Sequence, residues 1–144
     1  MTALRIVFGG LLAAASVLDI KNRHIYTEPL LIFMAVCITA RFVLFPPAQA
    51  AGFLAAGAVP GAAAFIWSRA SGQLGEGDAW CIFAAGACCG MAQTVIMCIL
   101  ALCAVSIAFL PCAVIRGTGR KLKAPFVPFL FAAYLLTLAG GFIC

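Results

Sequence analysis

Two aspartates, Asp19 and Asp78, stand at the ends of apolar runs in a chain that has only four acidic residues among 144. A carboxylate at the edge of hydrocarbon is expensive, and acids so placed in membrane proteins are functional-site candidates by default. Asp19 follows the first apolar segment, and Asp78 closes the turn Gly75-Glu76-Gly77-Asp78 immediately before the fourth. At the same depth on the same side, they supply the two carboxyl groups that acid–base peptide hydrolysis requires. Two close carboxyls do not both ionise readily and hold one proton between them. The ionised member deprotonates a water that attacks the scissile carbonyl. The protonated member hydrogen-bonds the carbonyl oxygen and later protonates the leaving amine. Which aspartate carries the proton is a property of the coupled pair.

Each aspartate also has a purely structural reading. Asp is a favoured helix N-cap, stabilised by backbone N–H groups and the helix dipole, so Asp78 suits a helix start and Gly75 and Gly77 suit a turn. Asp19 ends a helix, where the dipole disfavours an anion, so capping does not explain it; simple boundary polarity beside Lys21 and Arg23 does. No other catalytic constellation competes. The single histidine, His24, lies in a loop without metal-ligating company. The eight cysteines (Cys37, Cys81, Cys88, Cys89, Cys98, Cys103, Cys112 and Cys144) all fall in apolar runs and form neither a zinc-type nor a disulfide-framework pattern. They read as small buried hydrophobes. No cofactor or metal is expected.

The elements that must position the aspartates are membrane helices. Hydrophobic residues make up 66% of the chain and charged residues 9%, with a mean hydropathy of +1.19. Soluble domains carry about 25% charged residues, so an integral membrane protein of one domain, residues 1–144, is expected. Six apolar segments are read at about 2–18, 29–44, 49–67, 79–90, 93–115 and 125–143, all helical because lipid leaves no partner for an open sheet edge. The fold class is all-α, with about six transmembrane helices. The first segment resembles a signal peptide but carries only Arg5 ahead of it, which favours a retained span. Pro46-Pro47 marks a tight turn, Gly90 with Gln93-Thr94 marks the break between segments four and five, and Pro60 and Pro111 should kink or end their helices. Segment four, at about twelve residues, is too short to cross a bilayer core of about 30 Å. A helix that starts below the membrane surface accounts for it and puts Asp78 in a wet cleft.

Charge sets the orientation. Seven basic residues (Lys21, Arg23, Arg69, Arg116, Arg120, Lys121 and Lys123) lie in the loops after segments one, three and five, against Arg5 and Arg41 on the other side. That bias makes these loops cytoplasmic and both termini external. All four acids, Asp19, Glu28, Glu76 and Asp78, then share the cytoplasmic side. The net charge of +5 reads as a topology signal and a contact with lipid headgroups, not as a nucleic-acid surface.

These motifs resemble those of the bacterial type IV prepilin peptidases, membrane aspartic proteases with a Gly-x-Gly-Asp signature. Asp19-Ile20-Lys21-Asn22-Arg23-His24-Ile25 is similar to the family's aspartate and basic loop, with Tyr26-Thr27 where Pro-Asn is usual. Gly75, Gly77, Asp78, Gly86 and Gly90 fit the second motif, with Trp80 where lysine is usual. Pro125-Phe126-Val127-Pro128-Phe129 resembles the Pro-Phe-x-Pro-Phe opening of the last helix. The resemblance implies Asp19 and Asp78 as the catalytic pair, and Gly75, Glu76, Gly77, Arg23, Pro125 and Pro128 as positioning or substrate-contact residues. It also implies prepilin-like substrates with a basic leader, and a place in the bacterial cytoplasmic membrane with the site facing inward. Without the paired-cysteine region of larger members, the chain looks like the small, peptidase-only form.

Two other functions stay open at this point: a small proton- or cation-coupled transporter using Asp19 and Asp78, and a non-catalytic pilus-assembly relative. Transport places charges near the membrane midplane, often on broken helices, whereas these acids sit at segment ends, which favours the peptidase. Glu28 and Glu76 read as loop acids or as contacts for a basic leader, and Trp67, Trp80 and Tyr26 as an interfacial aromatic belt.

Overall fold

Apolar runs that must satisfy their own backbone groups fold as helices. The computed structural model describes residues 2–22, 27–71, 75–116 and 126–140, and in these it has six helices and no strand. They are α1 (Thr2–Asn22), α2 (Thr27–Leu44), α3 (Pro47–Ser71), α4 (Glu76–Cys89), α5 (Met91–Arg116) and α6 (Val127–Ala139). All six expected segments are present. Arg23, His24, Tyr26, Arg120, Lys121, Lys123 and Pro125 lie outside the described residues, as does Cys144.

Among the described residues, α2, α3 and α5 are long and apolar enough to cross a membrane. The remaining helices differ for stated reasons. α1 carries Arg5, Asp19 and Lys21, α6 has 13 described residues, and α4 has 14, about 21 Å at 1.5 Å per residue. Large aliphatic side chains point outward, with Val43 78% and Ile107 75% exposed. Such a surface suits lipid and not water: this is a membrane protein.

α4 is the axis of the bundle and packs against α1, α2, α3 and α5. Its sequence explains why. Ala79, Cys81, Ala84 and Ala85 are fully buried, and small side chains let neighbouring backbones approach closely without a hydrophobic drive in lipid. The closest approach is to α3, where a Cβ on Gly57 or on Gly86 would overlap the backbone carbonyl of the other. Below α4, Phe8 stacks on Phe33 at 5.5 Å and meets Tyr134 edge-on at 5.3 Å, joining α1, α2 and α6.

Helix ends depart from the sequence expectation in instructive ways. α1 continues past Leu18 to Asn22, so Asp19 lies inside its last turn; Lys21, favourable at a helix C-terminus, offsets the anion there. α3 passes through Pro60 and α5 runs past Pro111, so neither proline ends its helix. The expected break after α4 falls at Gly90, whose φ of 87° suits glycine. A Cβ there would also strike the Phe53 ring. Thr94 donates its N–H and its hydroxyl to the Gly90 carbonyl, so α5 starts at once.

Candidate active site

The turn ahead of α4 is built around its acid. Gly75 is extended and is the residue that caps the helix; Asp78 is the third residue inside it, not the N-cap. The Asp78 Oδ2 accepts the Gly75 N–H at 3.2 Å, while the Asp78 N–H donates to the Gly75 carbonyl at 3.1 Å. This reciprocal pair satisfies groups that a helix start leaves open. A Cβ on Gly75 would sit 3.2 Å from the same carboxylate oxygen, so glycine leaves the acid room to reach back. Glu76 and Gly75 are exposed, and Gly77 is half-buried.

Asp78 itself is buried, at 9% exposure, and lies ahead of the apolar stretch of α4. Its carboxyl is pushed up from 3.8 to about 6, first by burial, second by the negative charge of Asp19, with the Gly75 N–H pulling the other way. Asp19 therefore lies close enough to act on Asp78 electrostatically. It is half-buried in the last turn of α1, with Oδ2 shut off from solvent, and α1 packs on α4. Cys81, one turn after Asp78 on the same helix face, lies within the field of both carboxylates. Asp78, 59 positions after Asp19 by number (78 − 19), thus lies within its field at one end of the bundle.

An aromatic stack ties this end to α3. The Arg69 guanidinium lies 4.9 Å from the Phe65 ring centre and 3.9 Å from a Glu76 carboxylate oxygen. Phe65 meets Trp80 edge-on at 6.1 Å, and Trp80 lies 5.9 Å from Phe83. Trp80, which stands where the resembling family has lysine, therefore spends its side chain on the α3–α4 seam, and the cation at this mouth comes from Arg69. In the sequence Arg69 reads only as a topology charge. Its place at the end of α3, close in sequence to Glu76, was the available signal.

The other expected residues are more scattered. Pro128 opens α6, which packs on α1 and α5, and Glu28 stands exposed in the first turn of α2. Arg23 and Pro125 lie outside the described residues. Arg41, counted as an external charge, has a structural task. Its Nη2 donates to the Cys88 carbonyl at 3.1 Å and its guanidinium centre lies 3.5 Å from the Phe53 ring centre, capping the C-terminal end of α4.

Residues 6–116 match the model of the Type IV leader peptidase family. No curated protein and no solved structure matches the chain.

Proposed function

The chain belongs to the type IV leader peptidase family, and from that premise we propose that it is a membrane aspartic endopeptidase that removes the leader of type IV prepilin-like proteins at the cytoplasmic face. The observation that carries the reading is the electrostatic contact of Asp19 with Asp78 at one end of the bundle. A carboxyl raised to about 6 by burial and by a neighbouring acid keeps its proton where an ordinary Asp has lost it.

Below about pH 6 the proton stays on Asp78, and the reaction draws on this form of the pair, with one proton and one negative charge. The ionised carboxylate removes a proton from water, and the oxygen attacks the carbonyl carbon of the scissile peptide. The protonated partner hydrogen-bonds the carbonyl oxygen as it becomes tetrahedral, then gives its proton to the departing amine, which becomes the new N-terminus. Substrate enters at the Gly75-Glu76 edge of α4, where both residues are exposed. Glu76 draws a basic leader towards that edge. The excess of basic residues in the loops beside α1, α3 and α5 supports placing this edge in the cytoplasm.

Co-expression with a pilin precursor from the same genome tests the reading by the gel shift from precursor to mature form. Asp19→Asn and Asp78→Asn each abolish the shift while the protein stays folded in the membrane, because asparagine keeps the size and hydrogen bonds but cannot share the catalytic proton. Glu28→Gln and Glu76→Gln reduce it modestly at most. Full processing by either aspartate variant would show that the pair is not the catalyst.

A further inference from the structure

All four acids of the chain lie at one end of their helices: Asp19 in the last turn of α1, Glu28 in the first turn of α2, Glu76 and Asp78 in the first turn of α4. The opposite end carries Arg5 and Arg41 with no carboxylate on the described helices to answer them. The two guanidinium groups lie within each other's field, and both act on the thiols at the C-terminal end of α4. Arg41 is absorbed by the Cys88 carbonyl and the Phe53 ring. Arg5 is not: it is half-buried, and its Nε is shut off from solvent without a hydrogen-bond partner among the described residues. Uncompensated cationic charge at a membrane boundary calls for an anion.

Arg5 also closes one end of an apolar groove of about 450 Å³ between α1 and α6. Its floor is Gly9 against the Tyr134 ring, where an added Cβ would lie 3.1 Å from the ring edge. The Tyr134 hydroxyl donates to the Arg5 carbonyl at 2.6 Å and clamps the helices at the level of the guanidinium. Leu135 and Leu138 form the far wall, and Gly10 opens onto free space with nothing within 4 Å of a Cβ. α1 and α6 close this floor, and apart from Arg5 the cleft is lined by glycine, alanine and apolar or aromatic side chains, surroundings that suit a hydrocarbon chain.

We propose that the α1–α6 groove binds one anionic phospholipid, with an acyl chain lying along Gly9, Gly10 and Leu138 and the headgroup phosphate on Arg5. The planar guanidinium suits a phosphate bidentately, and the adjacent Arg41 adds to the attraction without ligating it. The site lies at the end of α1 opposite Asp19 and does not depend on the peptidase reading.

Native mass spectrometry of the intact protein, released from bilayers of equal phosphatidylglycerol and phosphatidylethanolamine, reads it directly. The expected result is one retained phosphatidylglycerol per chain, in preference to phosphatidylethanolamine. Arg5→Gln lowers that retention by about tenfold or more, the loss expected for a charge-assisted contact. Gly10→Phe, which fills open space and not packed core, also lowers it, with thermal unfolding as the check on folding. Arg5→Lys retains more than Arg5→Gln. Equal retention of the two lipids, wild-type retention by Arg5→Gln, or displacement of the lipid by inorganic phosphate would each overturn the proposal. If Gly10→Phe does not fold, the Arg5→Gln arm decides alone.

Discussion

At its C-terminal end α4 stops on Gly90 against the Phe53 ring and takes a hydrogen bond from Arg41, all of it packed among other side chains. At its N-terminal end the same helix starts on an exposed turn, its Asp78 carboxylate held by one backbone N–H and repelled by Asp19. The first end is composed of contacts that stabilise. The second holds a buried acid that the fold would keep more easily if it were neutral. The contrast teaches how an unfavourable pair of carboxyls persists: the helix that carries one of them is fixed elsewhere, by glycine contact with α3 and by the arginine cap.

The sharpest way to break the fixed part is to separate α3 from α4. Gly57→Leu and Gly86→Leu each force a side chain into the facing backbone, which no rotamer change relieves. Each is expected to cost about 4 kcal/mol or more, the range reserved for severe core disruption, read as loss of folded protein after detergent extraction. Gly52→Leu, on the same helix with open space around it, should leave folding intact.

The unfavourable end is tested by removing its penalty. A carboxyl raised from 3.8 to about 6 by the fold contributes fully below pH 3.8, and that contribution is lost as pH rises through about 6. Asp78→Asn, which is neutral throughout, should therefore be more stable than wild type at pH 8. The gain is on the order of 2–3 kcal/mol at 1.36 kcal/mol per pKa unit. The advantage should vanish near pH 4. Thermal unfolding at the two pH values checks the sign, and an equal effect at both would remove the electrostatic explanation.

The smallest effect belongs to Arg69 and Glu76. Their side chains are 69% and 67% exposed at 3.9 Å, so Arg69→Gln should change stability by less than about 1 kcal/mol and less still in high salt. A larger, salt-insensitive loss would mean that the stack through Phe65 and Trp80 holds the turn, and that this end is as firmly packed as the other.

Much of this was legible in the residues. The apolar runs gave six helices, Gly90 gave the break, and counting helix ends put Asp19 and Asp78 together. The exact helix ends were not legible. Whether α1 stops at Leu18 or Asn22 depends on small terms such as the pairing of Lys21 with the helix dipole. Nor was the Gly57–Gly86 contact. In water an amphipathic stripe marks the packed face of a helix, but in α3 both faces are apolar, so periodicity does not say which glycine meets a neighbour. The packing task of Arg41 was hidden for the same reason: a charge count sets the side of the membrane, while only the packing of α2 on α4 reveals the Cys88 carbonyl that accepts from it.

The coupling of the two carboxyls can be measured without any substrate, by a pH titration of the Asp78 carboxyl in bilayers using infrared difference spectra of wild type, Asp78→Asn and Asp19→Asn. The account predicts a carboxyl that titrates at about 6 in wild type and is missing in Asp78→Asn. In Asp19→Asn it moves down, because a repelling charge is gone, yet stays above the ordinary range because burial remains. An Asp78 that titrates at the ordinary value of about 3.9, unmoved by Asp19→Asn, would contradict it.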